Sequence, residues 1–98
     1  MMGEFIISEK AKTDLIQIGN YSAKFWSEEQ AESYVRMILN ECCEIANKPM
    51  IGRSYSEYRP GLKGHTCGKH VIFYRIITNT KIRIVRILHE RMDFPRHI

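Results

Sequence analysis

The chain has no apolar run longer than four residues, far below the roughly 20 that carry a helix across a bilayer. Its first residues, Met1 to Ile7, lack the basic start, the long apolar stretch and the cleavage site of a secretory leader. The cytoplasm is therefore the expected compartment. There is no internal repeat, low-complexity tract or linker-like stretch, so the 98 residues read as a single domain over 1–98. Cysteine is scarce too. Cys42, Cys43 and Cys67 are an odd number, and the first two are neighbours with poor geometry for bridging each other. Reduced, partly buried thiols are expected, in keeping with a cytosolic setting.

Acidic residues run short in the second half. Residues 1–52 hold five Lys/Arg against eight Asp/Glu, a balance of −3, whereas residues 53–98 hold ten against three, a balance of +7, together with all four histidines. This concentration points to a polyanionic partner, either nucleic acid or an acidic protein segment. The plainer alternative is a solvated basic surface.

What is present is strongly patterned. Glu4 to Ile7 reads as a short strand, and Ser8 stands where a helix N-cap belongs. Ala11, Leu15, Ile18, Ser22 and Phe25 then recur at helical spacing, with Lys10, Lys12, Asp14, Gln17 and Lys24 off that face. Ser27 with Gln30 three positions on is a capping-box signature. Ala31, Tyr34, Val35, Ile38, Leu39, Cys42, Ile45 and Ala46 form a second apolar stripe, ended by Pro49 and Gly52. With so short a connection, the two helices should fold back as an antiparallel hairpin, with Leu39 in its core.

The rest reads as strands. Glu57 to Gly64 is interrupted by Pro60-Gly61 and is at best an edge strand or a bulged one. Lys69 to Thr78 and Lys81 to His89 flank an Asn79-Thr80 turn and form a hairpin, both runs apolar on both faces. Val71, Ile72, Phe73 and Ile76 mark the first of these as structural, and Pro95 falls in a tail of loop or short helix. The predicted fold class is α+β, in the order β-α-α-β-β-β: an antiparallel β-sheet with an N-terminal helical hairpin packed on one face.

Within that order, several segments resemble one family. Ser8, Ala11, Asp14-Leu15, Ile18 and Tyr21 match its first helix. Trp26, Ala31, Tyr34, Leu39, Ala46, Pro49 and Gly52 match its second helix and exit. Arg59 to Lys63, Gly68 to Arg75, and Ile84 to His89 with Arg91-Met92-Asp93 match its strands and tail. The chain is thereby similar, over essentially its whole length, to the ParE branch of the RelE/ParE toxin superfamily. Ser27 stands where the family often has glycine, as its capping role explains.

The resemblance implies a toxin of a type II toxin–antitoxin system that inhibits DNA gyrase and blocks replication. It also implies a cognate antitoxin with a flexible C-terminal arm, and operator DNA met only indirectly through that antitoxin. No cofactor, metal or membrane partner is expected. The alternative within the superfamily is a ribosome-dependent mRNA endonuclease of the RelE type. A third is an inactive member kept as an antitoxin-bound co-repressor.

RNA cleavage through the 2′-hydroxyl takes a base, an acid and cations. Glu57, Arg59, Lys63, Arg86 and His89 are the residues that could supply them, and RelE-like toxins carry a denser set. Gyrase inhibition needs no catalytic residue. For it the resemblance nominates Arg59, Lys63, His89, Arg91 and Arg96 with His97 as target contacts, and Arg59, Lys63 and Arg83 as antitoxin contacts. Arg75 and Arg86, on partly buried strands, each need an acceptor. His89 reads most simply as a strand-end histidine bonded to backbone. His65, Cys67 and His70 fit no standard zinc spacing. Tyr21, Phe25, Trp26 and Tyr34 read as core rather than as a base-stacking platform.

Overall fold

Two serines set the helices. In the computed structural model, which describes residues 2–98, Ser8 Oγ accepts from Ala11 N–H and Ser27 Oγ accepts from Gln30 N–H. Each satisfies one of the amides that a helix start leaves orphaned. Ser8 follows strand β1 (Glu4–Ile7) and opens helix α1 (Glu9–Phe25); Ser27 opens helix α2 (Glu28–Asn47). The helices pack against each other as the predicted hairpin. A short 3-10 turn, Pro49–Ile51, leads to β2 (Arg53–Ser54), β3 (Lys63–Cys67), β4 (His70–Thr78), β5 (Lys81–His89) and a terminal helix α3 (Phe94–His97).

The five strands form one sheet in the order β1-β5-β4-β3-β2. The fold is α+β, as expected. The sheet is not wholly antiparallel, however: β1 runs parallel to β5, from Glu4 opposite Lys81 to Ile7 opposite Ile84. A strand that feeds straight into a helical hairpin can return beside β5 in this direction. The expected irregular strand over Glu57–Gly64 is displaced. Residues 56–61 are turn and bend, and the strand begins at Lys63, because Pro60 has no N–H for a ladder and Gly61 sits at φ +78°.

The core has two sides. Ile38, Cys42, Ile45, Ile72, Tyr74, Ile82, Ile84 and Ile87 are buried between helices and sheet. Leu62, Val71, Phe73 and Leu88 are buried on the opposite face, beneath Tyr55, Phe94 and Ile98. Both central strands are apolar on both faces for this reason. A bulge at Val85, where Phe73 pairs with Arg86 but Tyr74 with Ile84, resets the alternation. Ile84 and Ile87 can thus share the helical side while Val85 and Leu88 face away.

Four sequence-based placements change. Asp14, expected to face solvent, is only 7% exposed. Leu39 is only partly buried, and its neighbour Ile38 fills the core instead. Ile76 is 39% exposed, because the far half of β4 runs beyond the cover of either layer. Phe25, assigned to the packed face of the first helix, is 60% exposed. Among the described residues no helix is long and apolar enough to cross a membrane.

Candidate functional site

β1 ends opposite Ile84, so the outer edge of β5 beyond that point needs other partners. Ser8 Oγ donates to Val85 O at 2.8 Å, and Asp14 Oδ2 accepts from Ile87 N–H at 2.9 Å. The same carboxylate takes Arg86 in two parallel hydrogen bonds, Nε to Oδ2 at 2.8 Å and Nη2 to Oδ1 at 2.9 Å. That pairing holds the Arg86 guanidinium above its ordinary pKa. Its remaining nitrogen, Nη1, donates to His97 O and so ties the C-terminal tail to the sheet.

Arg86 stands at the inner end of a groove of about 340 Å³, which Arg59, Arg75 and Arg83 also line, with Lys10 and His97 near the rim. Arg75 and Arg83 lie directly opposite each other in the β4–β5 ladder, a like-charged pair that disfavours the sheet. Gly61 lets the Arg59 turn close over them. A Cβ there would sit 3.6 Å from Arg75 Nη2, and its φ of +78° suits glycine. Among the described residues, Arg59, Arg75 and Arg83 form no ion pair, and Glu9, the carboxylate lining the groove, is engaged by Lys12 at 3.1 Å. Three unpaired guanidiniums in one concavity make an anion receptor.

The expected site residues separate. Arg59 and Arg83 share this groove with Arg86, while Lys63 lies on β3 beside Tyr74. Glu57 is exposed in the turn before Arg59 and does not line the groove. His89 lies at the far end of β5 and accepts from Arg91 N–H through Nδ1 at 3.1 Å, the backbone bond expected of it. Arg91 and Arg96 are exposed on the turn and on α3. Of the five residues named for RNA cleavage, only Arg59 and Arg86 line one groove, and Asp14 already holds the second. Of those named as target contacts, only Arg59 and His97 do. Arg86 has the acceptor its burial requires, whereas Arg75 is exposed.

The sequence reading named His97 as a target contact but missed Arg75 and Lys10 as groove residues. Without a bulge the Asn79-Thr80 turn would set Arg75 opposite Ile84; the irregularity between Ile76 and Thr78 brings it opposite Arg83 instead, which local alternation does not announce. Lys10 carries no local signal either. His65 is 3.4 Å from Glu41, Cys67 is packed in the core, and His70 is bonded to Tyr34.

Two helices on one face of a sheet, with an arginine-lined groove on the other, define the class: a small α+β domain. A family model described as the ParE toxin of the type II toxin–antitoxin system parDE matches residues 5–94. Toxin ParE1 of Mycobacterium tuberculosis is 35% identical over 98 residues, covering all of both chains. Toxin ParE1 of Caulobacter vibrioides is 34% identical over 97 residues, 99% of each. The chain belongs to the ParE toxin family of type II toxin–antitoxin systems. Its fold is also that of a toxin–antitoxin structure described as the chromosomal ParDE system of P. aeruginosa, with a TM-score of 0.76 at 21% identity, covering 90% of this chain and 96% of that one. The RelBE2 toxin–antitoxin complex of M. tuberculosis shares it more distantly, with a TM-score of 0.64 at 16% identity over 91% of this chain and 99% of that one.

Proposed function

We propose that this toxin inhibits DNA gyrase and blocks replication in the cytoplasm, and that a cognate antitoxin silences it by laying an acidic segment of its flexible C-terminal arm into the arginine groove. The observation that carries the antitoxin half is the unpaired state of Arg59, Arg75 and Arg83. Like charges held together in a folded chain cost stability unless a partner neutralises them. An arm that folds as it binds can follow such a groove and reach further apolar anchors around it. Operator DNA is met only through the antitoxin. The gyrase half rests on family membership and on a surface built for grasping: a poison needs complementarity to its target, not a general base.

Both halves have direct tests. Purified protein should block negative supercoiling by gyrase, and equimolar antitoxin should restore it. Arg75→Ala together with Arg83→Ala should weaken antitoxin binding by ~10-fold or more, the loss of charge-assisted hydrogen bonds in a half-enclosed site. Supercoiling that continues at large molar excess of toxin, with mRNA cut in a translation extract, would reverse the choice of target.

A further inference from the structure

A second groove, of about 630 Å³, opens on the helical side of the sheet, where α1 ends and α2 begins. Lys69, His70 and His89 line it, the two imidazole centroids 5.3 Å apart, and Tyr21, Trp26 and Met37 add apolar surface. The expectation that these aromatics are core fails here. Tyr21 is 63% and Trp26 71% exposed.

The donor end is built by hydrogen bonds. Lys69 N–H donates to Tyr34 Oη at 3.0 Å, and Tyr34 Oη and His70 Nδ1 share a hydrogen bond at 2.6 Å. Gly68, at φ +60°, allows this turn, since a Cβ there would lie 2.7 Å from Tyr34 Oη. His89 Nδ1 likewise accepts a backbone amide, that of Arg91. The neutral His89 imidazole therefore carries its proton on Nε2. Neither Nε2 has a bonded partner, and no buried side-chain nitrogen or oxygen lacks one among the described residues, so both reach solvent. The His89 Nε2–H donor, a second imidazole and a lysine, with no carboxylate among the lining residues, select an anion.

We infer that this groove binds a nucleotide unit, its phosphate at Lys69, His70 and His89 and its base against Trp26 and Tyr21. The walls are side chains of the helical hairpin rather than an open strand edge, so they offer no ladder to an extended peptide. Exposed aromatic faces beside a cationic end are the elements that hold single-stranded nucleic acid. The volume suits a ligand of nucleotide size. The same chemistry serves a free nucleotide and a residue of a single strand. The site is distinct from the arginine groove and needs no antitoxin.

Trp26 is the only tryptophan of the chain, so its fluorescence reports the groove directly. Titration with thymidine 5′-monophosphate and with an eight-residue oligo-dT should quench it saturably. Quenching by both supports the site and makes a free nucleotide sufficient; quenching by the oligonucleotide alone supports it for a strand. Lys69→Gln with His89→Gln should weaken binding by about tenfold, with an unchanged far-UV circular dichroism spectrum. Lys81→Gln, at the other end of β5, should leave it within about twofold.

No quenching by either probe would overturn the inference. So would wild-type affinity in the double variant, or saturable quenching by an Asp-Phe-Glu peptide with none by the nucleotides.

Discussion

Asp14 and Arg86 stand 72 positions apart in the chain and meet in a two-pronged ion pair, Nε to Oδ2 at 2.8 Å and Nη2 to Oδ1 at 2.9 Å. The pair joins the first helix to the last strand at the point where β1 runs out, and Arg86 passes the connection on to the C-terminal tail. Because Asp14 is nearly buried, removing it strands both a guanidinium and the Ile87 N–H. Asp14→Ala should cost about 3 kcal/mol in urea denaturation. Asp14→Asn, which keeps one acceptor, should cost clearly less. Equal losses would mean that the charge rather than the hydrogen bonding matters.

Tyr74 has a similar role on the other flank. Its hydroxyl donates to Pro49 O at 2.6 Å and accepts from Gly52 N–H at 2.9 Å, pinning the exit of α2 to the sheet. Tyr74→Phe should destabilise by ~1–3 kcal/mol, since two backbone groups lose their partner. Gly52→Ala should be worse, because a Cβ there runs into the Tyr74 ring. Thermal melting of the two variants checks the order.

Ile38 and Leu39 separate the two faces of α2. Ile38→Ala should cost about 2–5 kcal/mol as a buried truncation. Leu39→Ala, at a partly exposed position, should cost less than half as much. Equal costs in chemical denaturation would show that the hairpin packs on a different face.

Burial, and then His89, push the His70 pKa below its ordinary 6.5. The unfolded chain therefore takes up a proton at His70 before the folded one does. Its contribution to stability is complete above pH 6.5, falls as the pH drops through that value, and levels off below the folded pKa. Urea midpoints measured across this range should decline toward acid, and His70→Gln should flatten the slope. An unchanged slope in that variant would assign the titration elsewhere.

Burial, followed by neighbouring thiol and carboxylate charge, pushes the Cys42 thiol up to about 12, and Cys67 is also buried and raised. Only Cys43 is exposed. Iodoacetamide near pH 8 should add one adduct to the native protein, at Cys43, and three once it is unfolded. Mass spectrometry of the native protein distinguishes the sites.

Local chemistry wrote much of the fold into the chain. The serine caps, the helical spacing of Ala31 through Ala46 and the β-branched runs around Asn79-Thr80 locate both helices and both central strands to within a residue. These signals are short-range: a cap needs only the next turn, and a hairpin only its loop. Asp14 was misread because a carboxylate among lysines on a helix looks solvated until a strand edge far along the chain arrives beside it. Tyr21 and Trp26 were misread in the opposite sense, since periodicity gives a face but cannot say where the covering layer ends.

The sequence by itself determined the two helices, the central hairpin and their order, the basic bias of the second half and the family, but not β2 or the start of β3 at Lys63. Tertiary structure alone decided that β1 runs parallel to β5, that a bulge at Val85 turns Ile84 and Ile87 to the same side, and which arginines stand free. Those outcomes depend on strand register and on edges meeting across the chain, and pairing between distant residues leaves no trace in local spacing.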